Sequence, residues 1–343
     1  MKQSKGHQAV VQAINMGLDV GYGFTKGAVG KTGNQFEFRS LVCPATMAAT
    51  DSDRGHINYT DATGNFYIGE NAIMYGKPIM ASVDSSYIDS DQYRIQALYA
   101  MALAAEKNAN DDKVHTDITS INLVMGLPVE WYRKDARRLQ ENAKNWANNK
   151  TKVGAIAVVP QPVGTVADLQ SDWNGGRQED FSGMKVALVD VGHGTLDLIE
   201  IVNNRVQFES AKGVAEGISR LHHDVYTSLK TETKYKKQFE DSGRGRDEID
   251  EIIRDRSFLC YGEPVNIEPL LRKCIQRTCS SINSIIDETW PKRGNLDRII
   301  ITGGGAELLA DEFEELIPEK QLIIPEDPGF ANAKGFAKLA NDL

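Results

Sequence analysis

The sequence predicts an α/β protein built of two similar halves, each a mixed sheet flanked by helices. Three observations carry that expectation. The stretch Asp19-Val20-Gly21-Tyr22-Gly23-Phe24-Thr25-Lys26 returns as Asp190-Val191-Gly192-His193-Gly194-Thr195-Leu196-Asp197. Each copy follows an apolar run, Ile14 to Leu18 in one case and Val186 to Val189 in the other. Strand and helix patterns alternate along both halves, with a hairpin opening each, as layered α/β folds require. One D-x-G-x-G is an ordinary turn. Two at matching positions predict two hairpins facing each other across a cleft.

The elements follow in order. Residues 1–12 are polar and mixed, without the apolar core of a secretory signal, and read as a leader. Ala13 to Val20 reads as the first strand, Ala28-Val29 as part of the next. Gln35 to Val42 alternates Phe36, Phe38 and Ser40 and reads as one strand. Thr46 to Gly64 is a polar, loop-rich excursion, and Phe66 to Ile68 resumes a strand. Tyr93 to Ala105 is rich in alanine and leucine and predicts a helix. Ile121 to Met125 is a buried strand. Val129 to Ala147 places Tyr132, Ala136, Leu139, Ala143 and Trp146 on one helical face. Ala155 to Val159 is a short strand before Pro160 and Pro162. Gln170 to Gly183, with Gly175-Gly176, reads as the crossover between halves.

The second half opens on Val186 to Val189 and the second hairpin. Asp197 to Val202 returns, and Asn203-Asn204 turns tightly into Val206 to Phe208. Val214, Ile218, Leu221, Val225 and Leu229 mark an amphipathic helix. The charged stretch Thr231 to Arg256 reads as a solvated helical insertion. Ile267 to Trp290 is a long helix, Arg298 to Thr302 a strand, Glu307 to Leu316 a helix, Leu322 to Ile324 a strand and Gly329 to Leu339 a last helix. The expected domains are 1–170 and 171–328, with 329–343 packing back on the first.

Composition narrows the function classes. With 343 residues, 41% apolar and 25% charged, the chain has room for about two domains of ordinary size. A net charge of −9 argues against a broad DNA-binding face, which needs cations to replace counterions. Cys43, Cys260, Cys274 and Cys279 form no C-x-x-C pair, so zinc and dithiol chemistry are not expected, and buried free thiols in a reducing cytoplasm are. No apolar run approaches the roughly 20 residues that span a bilayer, so no membrane role is expected.

The glycine turns suit phosphate. A phosphate tail needs several converging N–H donors, which backbone supplies only where no side chain blocks approach. Gly21, Gly23, Gly192 and Gly194 meet that need in pairs, with Tyr22, Phe24 and His193 between or beside them. Thr25 and Thr195 can add hydroxyls, and Lys26 can neutralise a phosphate oxygen. Asp19 and Asp190, at strand ends, suit the waters around Mg²⁺, which prefers hard oxygen and keeps its hydration. A third run, Gly303-Gly304-Gly305, lies between a strand and a helix, where a base or ribose can lie on backbone. Neither a P-loop nor a dinucleotide fingerprint is present.

In this order the motifs resemble the actin, Hsp70 and sugar-kinase superfamily: D-V-G-Y-G-F-T-K its first phosphate loop, D-V-G-H-G-T-L-D its second, I-T-G-G-G-A its adenosine motif. The stretches M-G-L-P-V-E-W-Y from Met125, G-I-S-R-L from Gly217 and P-G-F-A-N-A-K-G-F from Pro328 are similar to actin-like proteins of the ParM (StbA) type, which segregate plasmids. The resemblance implies an actin-like (ribonuclease H-like) fold around a nucleotide cleft and an ATPase that binds Mg-ATP, or GTP, and polymerises. It implies a partner adaptor of the ParR type, bound to centromere DNA, and places Gly217 among the nucleotide contacts. It also implies a glutamine or glutamate, in the helix after a proline-marked strand, that orients the attacking water. In the helix Val129 to Ala147 the candidates are Gln140, roughly 80° from the centre of the apolar face, and Glu141 on the opposite side. Two other readings of the same fold remain, a small-molecule kinase and a non-hydrolysing scaffold.

Overall fold

The computed structural model describes residues 13–45, 55–78, 84–108 and 119–343. The expected leader, and 46–54 of the loop-rich excursion, lie outside them. The chain divides into two compact units, Met1–Glu179 with Phe330–Leu343, and Asp180–Gly329.

The first unit holds β1 (Ile14–Val20), β2 (Phe24–Val29), β3 (Gln35–Arg39), β4 (Val42–Pro44), β5 (Tyr59–Asp61), β6 (Gly64–Ile68), α1 (Glu70–Tyr75), α2 (Asp91–Asn108), β7 (Thr119–Leu127), α3 (Val129–Ala143), β8 (Thr151–Pro160) and α4 (Gln161–Gln170). Its main sheet runs β3-β2-β1-β7-β8. The first three strands are antiparallel neighbours, and β7 and β8 continue parallel to β1. The single strand expected over Gln35 to Val42 breaks after Arg39, and β4 leaves to pair with β6 in a small three-stranded sheet, β4-β6-β5. Helix α2 buries Tyr93, Ile95, Ala97, Leu98, Ala100, Met101 and Ala104, and its middle, 97–105, is apolar all round where it packs inside the unit.

The second unit holds β9 (Lys185–Val191), β10 (Leu196–Val202), β11 (Arg205–Val214), α5 (Ser219–Thr231), α6 (Thr233–Ser242), α7 (Ile249–Asp255), β12 (Ser257–Cys260), β13 (Glu263–Asn266), α8 (Glu268–Thr289), β14 (Arg298–Thr302), α9 (Ala306–Leu316) and β15 (Leu322–Ile323). Its sheet runs β11-β10-β9-β14-β15, with the same alternation of antiparallel and parallel neighbours as the first. In β9, Val186, Ala187, Leu188 and Val189 are all fully buried, the continuous apolar run of a central strand covered on both faces. Asn203 and Asn204 take left-handed φ values of 52° and 61°, as a two-residue hairpin turn demands. The stretch expected to be a solvated insertion is instead anchored: Tyr235, Phe239, Ile249, Ile252 and Ile253 join the second core.

Helix α10 (Ala331–Leu339) belongs to the first unit and lies against β1 and α4. Small residues permit the approach. A Cβ on Gly335 would overlap the Gly164 backbone, and one on Gly17 would lie 2.0 Å from the Ala333 carbonyl. Asp168, buried in α4, receives Lys338 at 2.6 Å and Lys334 at 3.1 Å, and Thr165 donates its hydroxyl to Asn332 at 2.9 Å. All four cysteines are buried and free. No helix among the described residues is long and apolar enough to cross a membrane.

Candidate functional site

The two sheets present one device twice. β1 and β2 join through a hairpin in which Gly21 N–H donates to the Phe24 carbonyl at 3.1 Å. β9 and β10 join through a hairpin in which Gly192 N–H donates to the Thr195 carbonyl at 2.9 Å. A Cβ on Gly21 would lie 2.9 Å from that carbonyl and one on Gly192 3.0 Å from its own, so each turn is tight where glycine stands. The strand registers match as well: Asp19 pairs with Lys26, and Asp190 with Asp197. Lys26 and Asp197 are therefore equivalent positions carrying opposite charge.

Each hairpin is tied from beneath by its carbonyls. In the first, the Ser40 hydroxyl donates to the Gly21 carbonyl at 2.6 Å and the Ser40 N–H to the Gly23 carbonyl at 2.9 Å. In the second, the N–H groups of Ile218 and Ser219, at the start of α5, donate to the carbonyls of Gly192 and His193 at 3.0 and 2.8 Å. The C=O and N–H of a planar trans peptide point opposite ways. The Tyr22 and Phe24 amides therefore turn away from Ser40, and the His193 and Gly194 amides away from α5. Outward backbone amides, alternate in the first hairpin and successive in the second, are the donors an anion-binding concavity uses.

In the second unit three glycine motifs, far apart in sequence, converge. A Cβ on Gly217 would lie 2.5 Å from the Gly192 carbonyl oxygen and 2.6 Å from that of His193. Gly305 N–H donates to the Val191 carbonyl at 2.9 Å. Gly303 has φ of 91°, and a Cβ there would lie 2.2 Å from Asp190 Oδ1. Gly304 is exposed beside them. Asp190 and Asp197 are both buried and directly opposite on adjacent strands.

Several predicted side chains point elsewhere. Tyr22 stacks on Tyr87 with ring centroids 5.3 Å apart and meets Trp131 edge-on at 5.9 Å, so it reaches a ligand only through its backbone. Thr25 is fully buried with its hydroxyl 2.9 Å from that of Ser40, so the expected phosphate-facing hydroxyl is instead spent beneath the turn. Thr195 is half-buried on the second turn. Phe24 carries the Arg39 guanidinium over its ring at 5.7 Å. Lys26 lies in a cross-strand row between Asp19 and Glu37, with Nζ 3.8 Å from Glu37 Oε2 and 5.1 Å from the centre of the Phe330 ring. His193 is exposed at its turn, its ring 5.5 Å from that of His222.

The water-orienting candidates fare differently. Gln140 Nε2 donates to the Ile156 carbonyl at 2.8 Å and so pins α3 to β8. Glu141 is exposed and paired with Arg137 at 3.0 Å. The residue that does reach a hairpin is Gln161, the first of α4, whose Nε2 donates to Asp19 Oδ1 at 2.7 Å. Burial raises the Asp19 carboxyl above its ordinary range, against the opposing pull of Gln161, Lys26 and Asn332. The available signal was Pro160, which marks the end of β8 just before Gln161.

The donor set is hard oxygen, which suits magnesium. Among the described residues no three histidine, cysteine or carboxylate groups gather to ligate a metal directly. Asp19 in the first unit and Asp190 in the second each place a carboxylate at a strand end beside a glycine turn.

Residues 17–164 match the family described as actin like proteins N terminal domain, and residues 188–315 match archaeal actin homologue MreB-like, C-terminal. Archaeal actin homologs of Thermoplasma acidophilum and Thermoplasma volcanium are each 27% identical over 352 residues, covering 95% of this chain and 98% of theirs. Among solved structures, a 15-stranded ParM filament from Clostridium botulinum superposes with a TM-score of 0.71 at 18% identity, covering 97% of this chain and 100% of that one. Bacillus thuringiensis ParM with ATP gives 0.69 at 15% identity, covering 96% and 98%.

Proposed function

We propose that this chain, whose two halves are actin-like domains of the kind found in ParM and the archaeal actin homologues, is a nucleotide-driven filament protein that hydrolyses ATP, or GTP. The observation that carries the reading is the repeated hairpin whose carbonyls are tied inward and whose amides turn outward. The Bacillus thuringiensis ParM solved with ATP and the Clostridium botulinum ParM solved as a filament support both parts of it.

In this reading the amides of Tyr22, Phe24, His193 and Gly194 bind phosphate oxygens, and Lys26 adds positive charge. Asp19 and Asp190 hold waters of a magnesium ion, which supplies charge neutralisation on the phosphates when bound. Gly303 to Gly305 offers backbone to the nucleoside. Gln161, rather than Gln140 or Glu141, orients the attacking water, because its amide already lies on Asp19 at the first hairpin. Hydrolysis then weakens subunit contacts. The finer role is plasmid segregation, with an adaptor of the ParR type joining filament to DNA, consistent with a net charge of −9 that disfavours direct broad DNA contact.

Asp190→Ala tests the assignment. It should cut turnover by about a hundredfold while the protein remains folded. Unchanged turnover contradicts the placement of the metal waters.

A further inference from the structure

We propose that Ser40 is the residue that positions the first glycine hairpin for phosphate, a role that rests on the nucleotide-binding reading above. Ser40 stands where the strand expected over Gln35 to Val42 breaks, just past the end of β3. It is 1% exposed. Its hydroxyl donates to the Gly21 carbonyl at 2.6 Å, and its N–H to the Gly23 carbonyl at 2.9 Å. A serine hydroxyl has one proton, so the 2.9 Å contact with Thr25 runs from the threonine to Ser40. The Ser40 carbonyl accepts from Gln92 Nε2 of α2 at 2.9 Å.

Every polar group of Ser40 is thus committed, two of them to the carbonyls of the two glycines. Peptide planarity carries the consequence across the chain: fixing those carbonyls fixes the Tyr22 and Phe24 amides. In the second hairpin the backbone N–H groups of Ile218 and Ser219 hold the corresponding carbonyls, and only a proline would remove them. In the first hairpin one of these two carbonyl bonds comes from a side-chain hydroxyl, and in the second both come from backbone. Ser40 is a positioning residue, since it acts through the hairpin and not on the ligand.

The test is titration of the full chain with a nucleoside triphosphate and with the matching nucleoside. Ser40→Ala removes the hydroxyl and keeps the backbone bond. Triphosphate affinity should fall about tenfold, the factor expected when a buried carbonyl loses its donor. Nucleoside affinity should hold, because it has no phosphate for the hairpin to grip. Ser40→Thr, which retains the hydroxyl, should recover the triphosphate. If Ser40→Ala fails to fold, Ser40→Cys, with a weaker donor, should give an intermediate loss. A wild type that binds triphosphate while Ser40→Ala binds it equally well overturns the inference. So does an equal loss of triphosphate and nucleoside. A wild type that binds no triphosphate overturns the proposed function itself, and this inference with it.

Discussion

Gln161 donates its side-chain amide to the Asp19 carboxylate at 2.7 Å, across 142 positions of sequence. That bond joins the first residue of α4 to the end of β1, beside the first hairpin. Gln161→Ala should lower nucleotide turnover roughly a hundredfold with little change in nucleotide affinity, as loss of a group that acts only in the chemical step does. Gln140→Ala should leave turnover near wild type and lower stability by about 1 kcal/mol, because it frees the Ile156 carbonyl of β8. Steady-state kinetics and urea denaturation of the two variants separate the roles. The reverse pattern returns the water-orienting role to α3.

Asp19 places a charge where folding disfavours it. Burial raises its folded-state pKa above 3.8, so the folded chain binds more protons than the unfolded chain between the two values. Stability from this group therefore falls as pH rises through that window. Asp19→Asn removes the term and should melt at a higher temperature than wild type at pH 7. The gain should vanish below about pH 3.8, where the wild-type carboxyl is protonated in both states. The same variant should lose turnover, the usual cost of stabilising a functional site. A melting temperature at pH 7 equal to or below that of wild type contradicts the account of Asp19.

Gly217 is where a single methyl meets backbone that is already bonded. Its Cβ would lie 2.5 and 2.6 Å from the Gly192 and His193 carbonyl oxygens, which hold the α5 amides. Gly217→Ala should cost about 1–3 kcal/mol and weaken triphosphate binding together. Gly294→Ala, where no atom lies within 4 Å of the added carbon, serves as the control and should change neither. Denaturation and nucleotide titration of both variants check this.

Local pattern and tertiary placement divide what the sequence reveals. The two hairpins are legible because apolar run, aspartate and glycines lie together in one short stretch, Ile14 to Gly23 and Val186 to Gly194. The sheets follow, since each hairpin opens a strand and helix alternation. Helix α4 is not legible: Pro160 and Pro162 read as a stop, yet Pro162 stands in the first turn, where its missing amide has no helical partner to lose. The β12–β13 hairpin is hidden as well, because its turn uses Tyr261 and Gly262 at φ of 53° and 85°, and tyrosine gives no turn signal. In 231–256 the density of charge masks the four-residue spacing of Tyr235 and Phe239 that seats α6 in the core. Gln161 and Ser40 take their places from contacts made only after folding. Each is an ordinary polar residue until Asp19, or the glycine carbonyls, come beside it.

The central claim is that nucleotide drives assembly of this chain. Sedimentation of the purified protein with a non-hydrolysable ATP or GTP analogue, well above micromolar protein concentration, tests it most directly. The account predicts pelleting filaments with the triphosphate analogue and their loss with the diphosphate. Protein that stays monomeric with both triphosphate analogues contradicts it.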